Sequence, residues 1–223
     1  MKEQPMAVSR NSVKRKRGRP PKLSLQKMPI ERAILEAAKQ VCADYGVQAL
    51  TVELILQQSG VSRPTFYKYF KNKEIVLEMV CRKVNGQLVE AMRTALLENR
   101  SGVLDPGSVS AAIVDTYLNW GMTQGAIIGR FYQVRSDEAS ALSRHREETV
   151  AKIIEIMQQV IRRAGFSAQD PLLLKSLIGL VEHLGSTLFS KQHSAEEVGR
   201  VRGIMCMILE KFIMHHDATL LGE

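Results

Sequence analysis

The sequence predicts an all-α protein in two unequal parts, a small N-terminal helix-turn-helix unit and a larger helical unit behind it. Apolar residues recur at helical spacing through most of the 223 positions, and no alternating strand pattern competes with them. Thr51, Ser62 and Asn72 stand at three successive helix starts, and Gly46 and Gly60 at two helix ends. Positive charge is confined to one end: residues 1–32 hold ten of the 31 Lys and Arg but two of the 23 acids, so the rest carries 21 of each sign.

Taken in order, residues 1–28 have almost no apolar periodicity and include KRKRGRPPK, the composition of a flexible basic arm that orders only on a partner. The whole formal charge of +8 lies there, which points to a polyanion, either nucleic acid or an anionic membrane surface. Ile30, Ala33, Ile34, Ala37, Ala38, Val41, Cys42 and Tyr45 then mark a first helix, started by Pro29 and ended at Gly46. Thr51 caps a short second helix reaching Ser59, because its hydroxyl accepts from a free N–H of the first turn; Gly60 breaks that helix. Ser62 caps a third, with Pro64 where the first turn needs no N–H, and Asn72 caps a long fourth beginning at Lys73. Short helix, tight turn and short helix form a helix-turn-helix signature, which bounds a domain at 29–76 and leaves 77–223 as the second.

In the second part, Val109, Ala112, Ile113, Thr116, Tyr117 and Trp120 form one stripe after Pro106. Leu142, Thr149, Val150, Ile153, Met157, Val160 and Ile161 form another, ended by Gly165. The last two helices are apolar over a wider arc: Leu173, Leu177, Val181, Leu184 and Leu188 follow Pro171, while Val201, Met205, Ile208 and Phe212 follow Ser194. Seams of that width exceed what one small domain hides. Leu177, Val181, Leu184, Leu188, Val201, Met205, Ile208 and Phe212 are therefore the candidate surface for a homodimer paired as a four-helix bundle, with ordinary core helices as the alternative.

Cys42, Cys81 and Cys206 lack CxxC spacing, which favours neither a disulfide framework nor a zinc site and fits a reducing compartment. No apolar run is expected to reach the roughly 18 to 20 residues of a membrane span, and the N-terminus lacks the apolar stretch of a secretion signal, so a cytoplasmic location is expected. A Gly-rich phosphate loop, a nucleophile elbow and a singled-out carboxylate pair are all missing, so neither an enzyme nor a cofactor is expected. His215, His216 and Asp217 do not suggest a metal site, since adjacent histidines diverge by about 100° around a helix and need ligands from elsewhere.

The stretch GVSRPTFYKYFKNKEIV, residues 60–76, is too polar for a core helix and too aromatic for a solvated one. Phe66 and Phe70, four apart, share a face that should pack on Ile34, Val41 and Leu54. The opposite face presents Pro64, Thr65 and Lys68, with Arg63 at the helix start and Tyr67 and Tyr69 on the flanks. A helix of this width fits the DNA major groove, where Arg63 can bond two acceptors on guanine and Thr65 can meet a base edge or a thymine methyl. Tyr hydroxyls and Lys would hold phosphates, fixing register without reading sequence.

The segment LTVELILQQSGVSRPTFYKYFKNKEIVLEMV, residues 50–80, resembles the DNA-binding core of the TetR/AcrR family of bacterial regulators. Its Gly-Val-Ser turn, the Tyr67 and Phe70 pair, and Lys73 with Glu74 match that family's order and spacing. The resemblance implies an N-terminal three-helix DNA-binding domain, a larger helical ligand-binding and dimerisation domain, a palindromic double-stranded operator and a small-molecule effector. It implies phosphate contacts from Thr51, Tyr67, Tyr69 and Lys73, and base contacts from Arg63, Pro64, Thr65 and Lys68. Leu56 and Ser59 depart from the family pattern, which commonly has Ala there. In the arm, RGRP at residues 17–20 resembles an AT-hook core: Arg17 and Arg19 would lie along a narrow minor groove, and Gly18 would let the backbone reach its floor. A cationic tail holding phosphates non-specifically is the alternative.

For the effector, Tyr117, Trp120, Arg130, Phe131 and His183 are the candidate contacts, with Tyr132 and Phe189 beside them. Arg130 and His183 would need partners if buried, and an anionic group could be one. The competing class is a helical small-molecule-binding or interaction protein whose helix-turn-helix does not bind DNA.

Overall fold

The computed structural model describes residues 28–98, 105–133, 141–189 and 193–214. Among them the regular structure is entirely helical: α1 (Ile30–Tyr45), α2 (Val52–Ser59), α3 (Arg63–Tyr69), α4 (Lys73–Arg93), α5 (Pro106–Gln124), α6 (Ala126–Gln133), α7 (Ala141–Arg163), α8 (Pro171–Phe189) and α9 (Ala195–Met214). A 3-10 turn at Val47–Ala49 follows α1, and a π turn at Thr94–Glu98 follows α4. Arg17, Gly18 and Arg19 of the arm, and His215 to Asp217, lie outside the described residues.

The helix starts are set by local chemistry. Thr51 Oγ1 accepts from the Leu54 N–H at 3.2 Å, Ser62 Oγ from the Thr65 N–H at 3.3 Å, and Asn72 Oδ1 from the Ile75 N–H at 3.0 Å. Between α2 and α3, Gly60 turns the chain at φ 73°, a left-handed conformation that glycine adopts without a steric penalty. Around this turn Ile34, Val41, Ile55, Phe66 and Phe70 are buried in one core, with Leu54 and Leu56 packed against it. The 21 residues of α4 run on from there without a break, burying Val76 and Val80 and, farther along, Val84, Leu88 and Met92. A boundary after residue 76 therefore falls inside a helix that both parts share, and α4 packs on α1, α5 and α7.

In the larger part, α5 packs on α8 and α9, and its approach to α8 is made close by glycines. A Cβ at Gly121 would overlap the Phe189 ring, and one at Gly185 would overlap the ring of Tyr117. Asp105 caps α5 by accepting from the Ser108 N–H at 3.0 Å, and Ser194 and Glu197 form a reciprocal capping box at α9.

The structure corrects two expectations about the last helices. The 19 residues of α8 are, by length and composition, long and apolar enough to cross a membrane, so such a run does occur; its inner side packs on α5, α6, α7 and α9. Furthermore, Leu177 (7 % exposed), Val181 (7 %), Leu188 (5 %) and Met205 (0 %) are buried in their own chain and cannot form a surface for a second copy. Leu184, Val201, Ile208 and Phe212 are half-buried. The exposed apolar face is instead Leu172, Leu173, Leu180, Ile204, Met207 and Met214. On a helix that is apolar over a wide arc, the strongest periodic positions serve the chain's own core, and the spare apolar surface lies beside them.

Candidate nucleic-acid interface and inner cavity

The two faces of α3 separate by chemistry. Phe66 and Phe70 point into the core with their ring centroids 5.9 Å apart, while Arg63, Pro64, Tyr67, Lys68 and Tyr69 are exposed and Thr65 is half-buried. Thr65 Oγ1 shares a 2.8 Å hydrogen bond with the Ser62 hydroxyl, which fixes its side chain at the helix start. Thr51 is exposed, and because its oxygen caps α2 by accepting, its hydroxyl proton is directed by whatever acceptor approaches.

Two of the predicted contact residues are already engaged. The guanidinium of Arg63 donates to Glu53 of α2, a residue that sequence reasoning missed. That bond raises the Arg63 pKa and lowers that of Glu53, so the pair is charged throughout the neutral range. Lys73 Nζ donates to the Leu50 carbonyl at 2.8 Å, tying the start of α4 to the chain before α2 with one of its three N–H groups.

The larger part holds a cavity of about 60 Å3 between α4, α5, α6, α7 and α8, lined by Leu88, Trp120, Phe131, Tyr132, Arg146 and Glu182 among others. A second space of about 30 Å3 adjoins it at Leu88 and Glu182 and is lined by Tyr117. Of the effector candidates, Trp120 and Phe131 line the first space and Tyr117 the second. Two candidates are corrected: His183 is exposed, and Arg130 lines neither space, its Nε lying 3.5 Å from the Ala43 carbonyl at the end of α1. Their apolar neighbours in sequence gave no sign of which way they turn.

The charged group that does reach the cavity is Arg146, which sequence reasoning did not single out. Its Nε donates to Glu182 Oε2 at 3.1 Å, and its Nη2 donates to the same oxygen. Burial pulls the Arg146 pKa down most strongly of any single cause, but the hydrogen bond and charge of Glu182, together with Tyr132 and Glu147, outweigh it and the net shift is upward. Trp120 donates its indole N–H to the Val84 carbonyl at 3.1 Å, and the Tyr117 and Tyr132 hydroxyls lie 3.3 Å apart. Cys81 also lines the cavity, but burial pushes its thiol up to about 12, which leaves it unreactive at neutral pH.

Residues 34–80 match the model of the bacterial regulatory proteins of the tetR family. The chain is 38 % identical over 73 residues to the fatty acid metabolism regulator protein of Bacillus subtilis, covering 33 % of this chain and 38 % of that protein. It is 39 % identical over 69 residues to the HTH-type transcriptional regulator EthR of Mycobacterium tuberculosis, covering 31 % and 32 %. The match thus spans about a third of each of these curated relatives and falls on the N-terminal part. The fold extends further: the fatty acid degradation regulator FadR from Bacillus halodurans superposes with a TM-score of 0.66 at 20 % identity, over 82 % of this chain and 96 % of that one. The match to the tetR family of bacterial regulatory proteins thus lies in residues 34–80, and the helical body behind them shares the fold of the superposed structure.

Proposed function

We propose that the protein is a ligand-responsive, sequence-specific DNA-binding regulator of transcription. In this reading it works in the cytoplasm as a homodimer, represses by holding a palindromic operator through two copies of α3, and lets go when a small effector fills the cavity. It acts by binding, without catalysis and without a cofactor.

The observation that carries the reading is the division of α3: its two phenylalanines are consumed by the core, while its two cations and two phenols are exposed and Thr65 is half-buried. A helix this small has no internal use for Arg63, Thr65, Tyr67, Lys68 and Tyr69 together, whereas a major groove supplies acceptors to all of them. Arg63 and Thr65 read bases, with Pro64 and Lys68 beside them; Tyr67, Tyr69 and Thr51 hold phosphates. The arm, through Arg17, Gly18 and Arg19, adds contacts along the flanking duplex. The exposed apolar face of α8 and α9 suits a second copy, which sets the two reading helices apart by a fixed distance. An effector acts only in so far as it prefers the spacing that does not fit DNA.

The test is to select operators from a random duplex pool and compare two variants on the winners. Tyr67→Phe should weaken all operators by a similar factor, whereas Arg63→Ala should relax preference at one base position per half-site by about tenfold. Equal loss of sequence preference in both variants contradicts the assignment of roles.

A further inference from the structure

His145 of α7 is buried, 7 % exposed, and both of its ring nitrogens face carboxylates. Nε2 lies 3.1 Å from Glu78 Oε1 on α4, and Nδ1 lies 3.2 Å from Glu148 Oε2, three residues along α7. An ionised carboxylate only accepts, and a neutral imidazole has one N–H, so the two bonds coexist only when the ring carries both protons. The ring then holds one positive charge between two negative ones. Losing a proton leaves a lone pair turned against one of the carboxylates.

The neighbouring charges decide which bond yields. On α4, Arg82 donates to the same Oε1 of Glu78 at 3.3 Å, so that carboxylate keeps a partner when the ring withdraws. Cys81 stays protonated, because burial pushes its thiol up to about 12. Lys83, farther along α4, is paired with Glu36 of α1 at 2.8 Å. On α7, Arg144 and Arg146 flank His145 in sequence; Arg146 turns to Glu182 of α8, and Glu147 accepts from Lys175 of α8 at 2.7 Å. The bond to Glu148 lies within one helix and needs no order between helices, so a ring with a single proton uses it there. The bond given up is the one that ties α7 to α4.

Glu78 stands near the start of α4, which begins at Lys73, shortly after α3 ends at Tyr69. A joint at this point bears on where α3 stands relative to the helical body. We propose that His145 is a proton-operated latch between α4 and α7: with two protons it ties the helix-turn-helix unit to the body, and as pH rises through the range in which histidines titrate it lets α4 go. The stabilisation is present at low pH and lost as pH rises, because the protonated ring alone makes both bonds. The latch is a property of the free protein; its consequence at an operator rests on the proposed function.

The experiment is urea denaturation of the full chain at about pH 5.5 and about pH 8, on a double-mutant cycle of His145→Gln and Glu78→Gln. The two positions should be coupled about tenfold in the unfolding constant at the lower pH and less than about twofold at the higher. Glu148→Gln supplies a readout that packing alone would not move. Its amide N–H donates to Nδ1 of a neutral ring and leaves Nε2–H for Glu78, so the cycle repeated in this background should keep its coupling at the higher pH. If His145→Gln does not fold, ring-nitrogen NMR takes the place of the cycle. Both nitrogens of His145 should carry protons at the lower pH and Nδ1 alone at the higher, and Glu148→Gln should move that remaining proton to Nε2. Coupling equal at both pH values, or a wild-type ring that keeps its proton on Nε2 at the higher pH, overturns the proposal. Operator affinity that changes with pH in the wild type and not in Glu148→Gln supports the latch acting at the operator. An equal change in both overturns only that role, and absence of operator binding overturns the proposed function and not the latch.

Discussion

Glu53 holds the guanidinium of Arg63 from outside α3, which gives a side chain of α2 a hand in the base contact proposed for Arg63. A long, exposed arginine has many rotamers, and a carboxylate ten residues earlier narrows them while also placing a negative charge near the phosphates. Glu53→Gln should therefore raise affinity for random duplex by a few-fold and reduce preference at the base read by Arg63, with the two effects separated by titrating selected and random duplexes side by side. Unchanged preference would show that Glu53 does not position Arg63. The caps at Thr51, Ser62 and Asn72 were legible in the sequence because the acceptor and its N–H are three residues apart. The pairing of Arg63 with Glu53 and that of Arg146 with Glu182 were not, since partners ten and 36 residues apart are brought together only by the packing of whole helices.

At the scale of elements, the close approach of α5 to α8 depends on Gly121, whose missing side chain makes room for the Phe189 ring. Gly121→Ala should destabilise the protein by about 1 to 3 kcal/mol through overpacking. Gly86, exposed on α4 with nothing within 4 Å of an added Cβ, should behave oppositely: Gly86→Ala should stabilise by about 0.5 to 1 kcal/mol because it restricts the unfolded chain more than the helix. Urea denaturation of both variants checks the pair of signs. Long amphipathic helices such as α1 and α7 were readable from their stripes, as was the start of α4 from Asn72. The short α6 was not singled out: it follows Gly125 directly, and its eight residues are too few for a periodic signal to stand out. Leu177, Val181, Leu188 and Met205 fell in the chain's own core for a related reason, because periodicity locates an apolar arc without saying which half of it the same chain will cover.

For the whole molecule, the proposed dimer uses surface that the chain does not bury itself. Met207→Lys, on the exposed face, should shift the protein toward monomer in sedimentation while leaving its melting unchanged; Leu177→Ala, in the core, should cost about 2 to 5 kcal/mol and leave the subunit count alone. The reverse pattern would restore the pairing register expected from sequence. The account as a whole turns on α3 meeting duplex DNA, and the most direct test is the affinity of the intact protein for random-sequence duplex, followed by fluorescence anisotropy as salt is raised. It should fall linearly on logarithmic axes, by close to 0.9 log unit per log unit of salt for each phosphate neutralised. Absence of binding at low salt, or binding indifferent to salt, would contradict it.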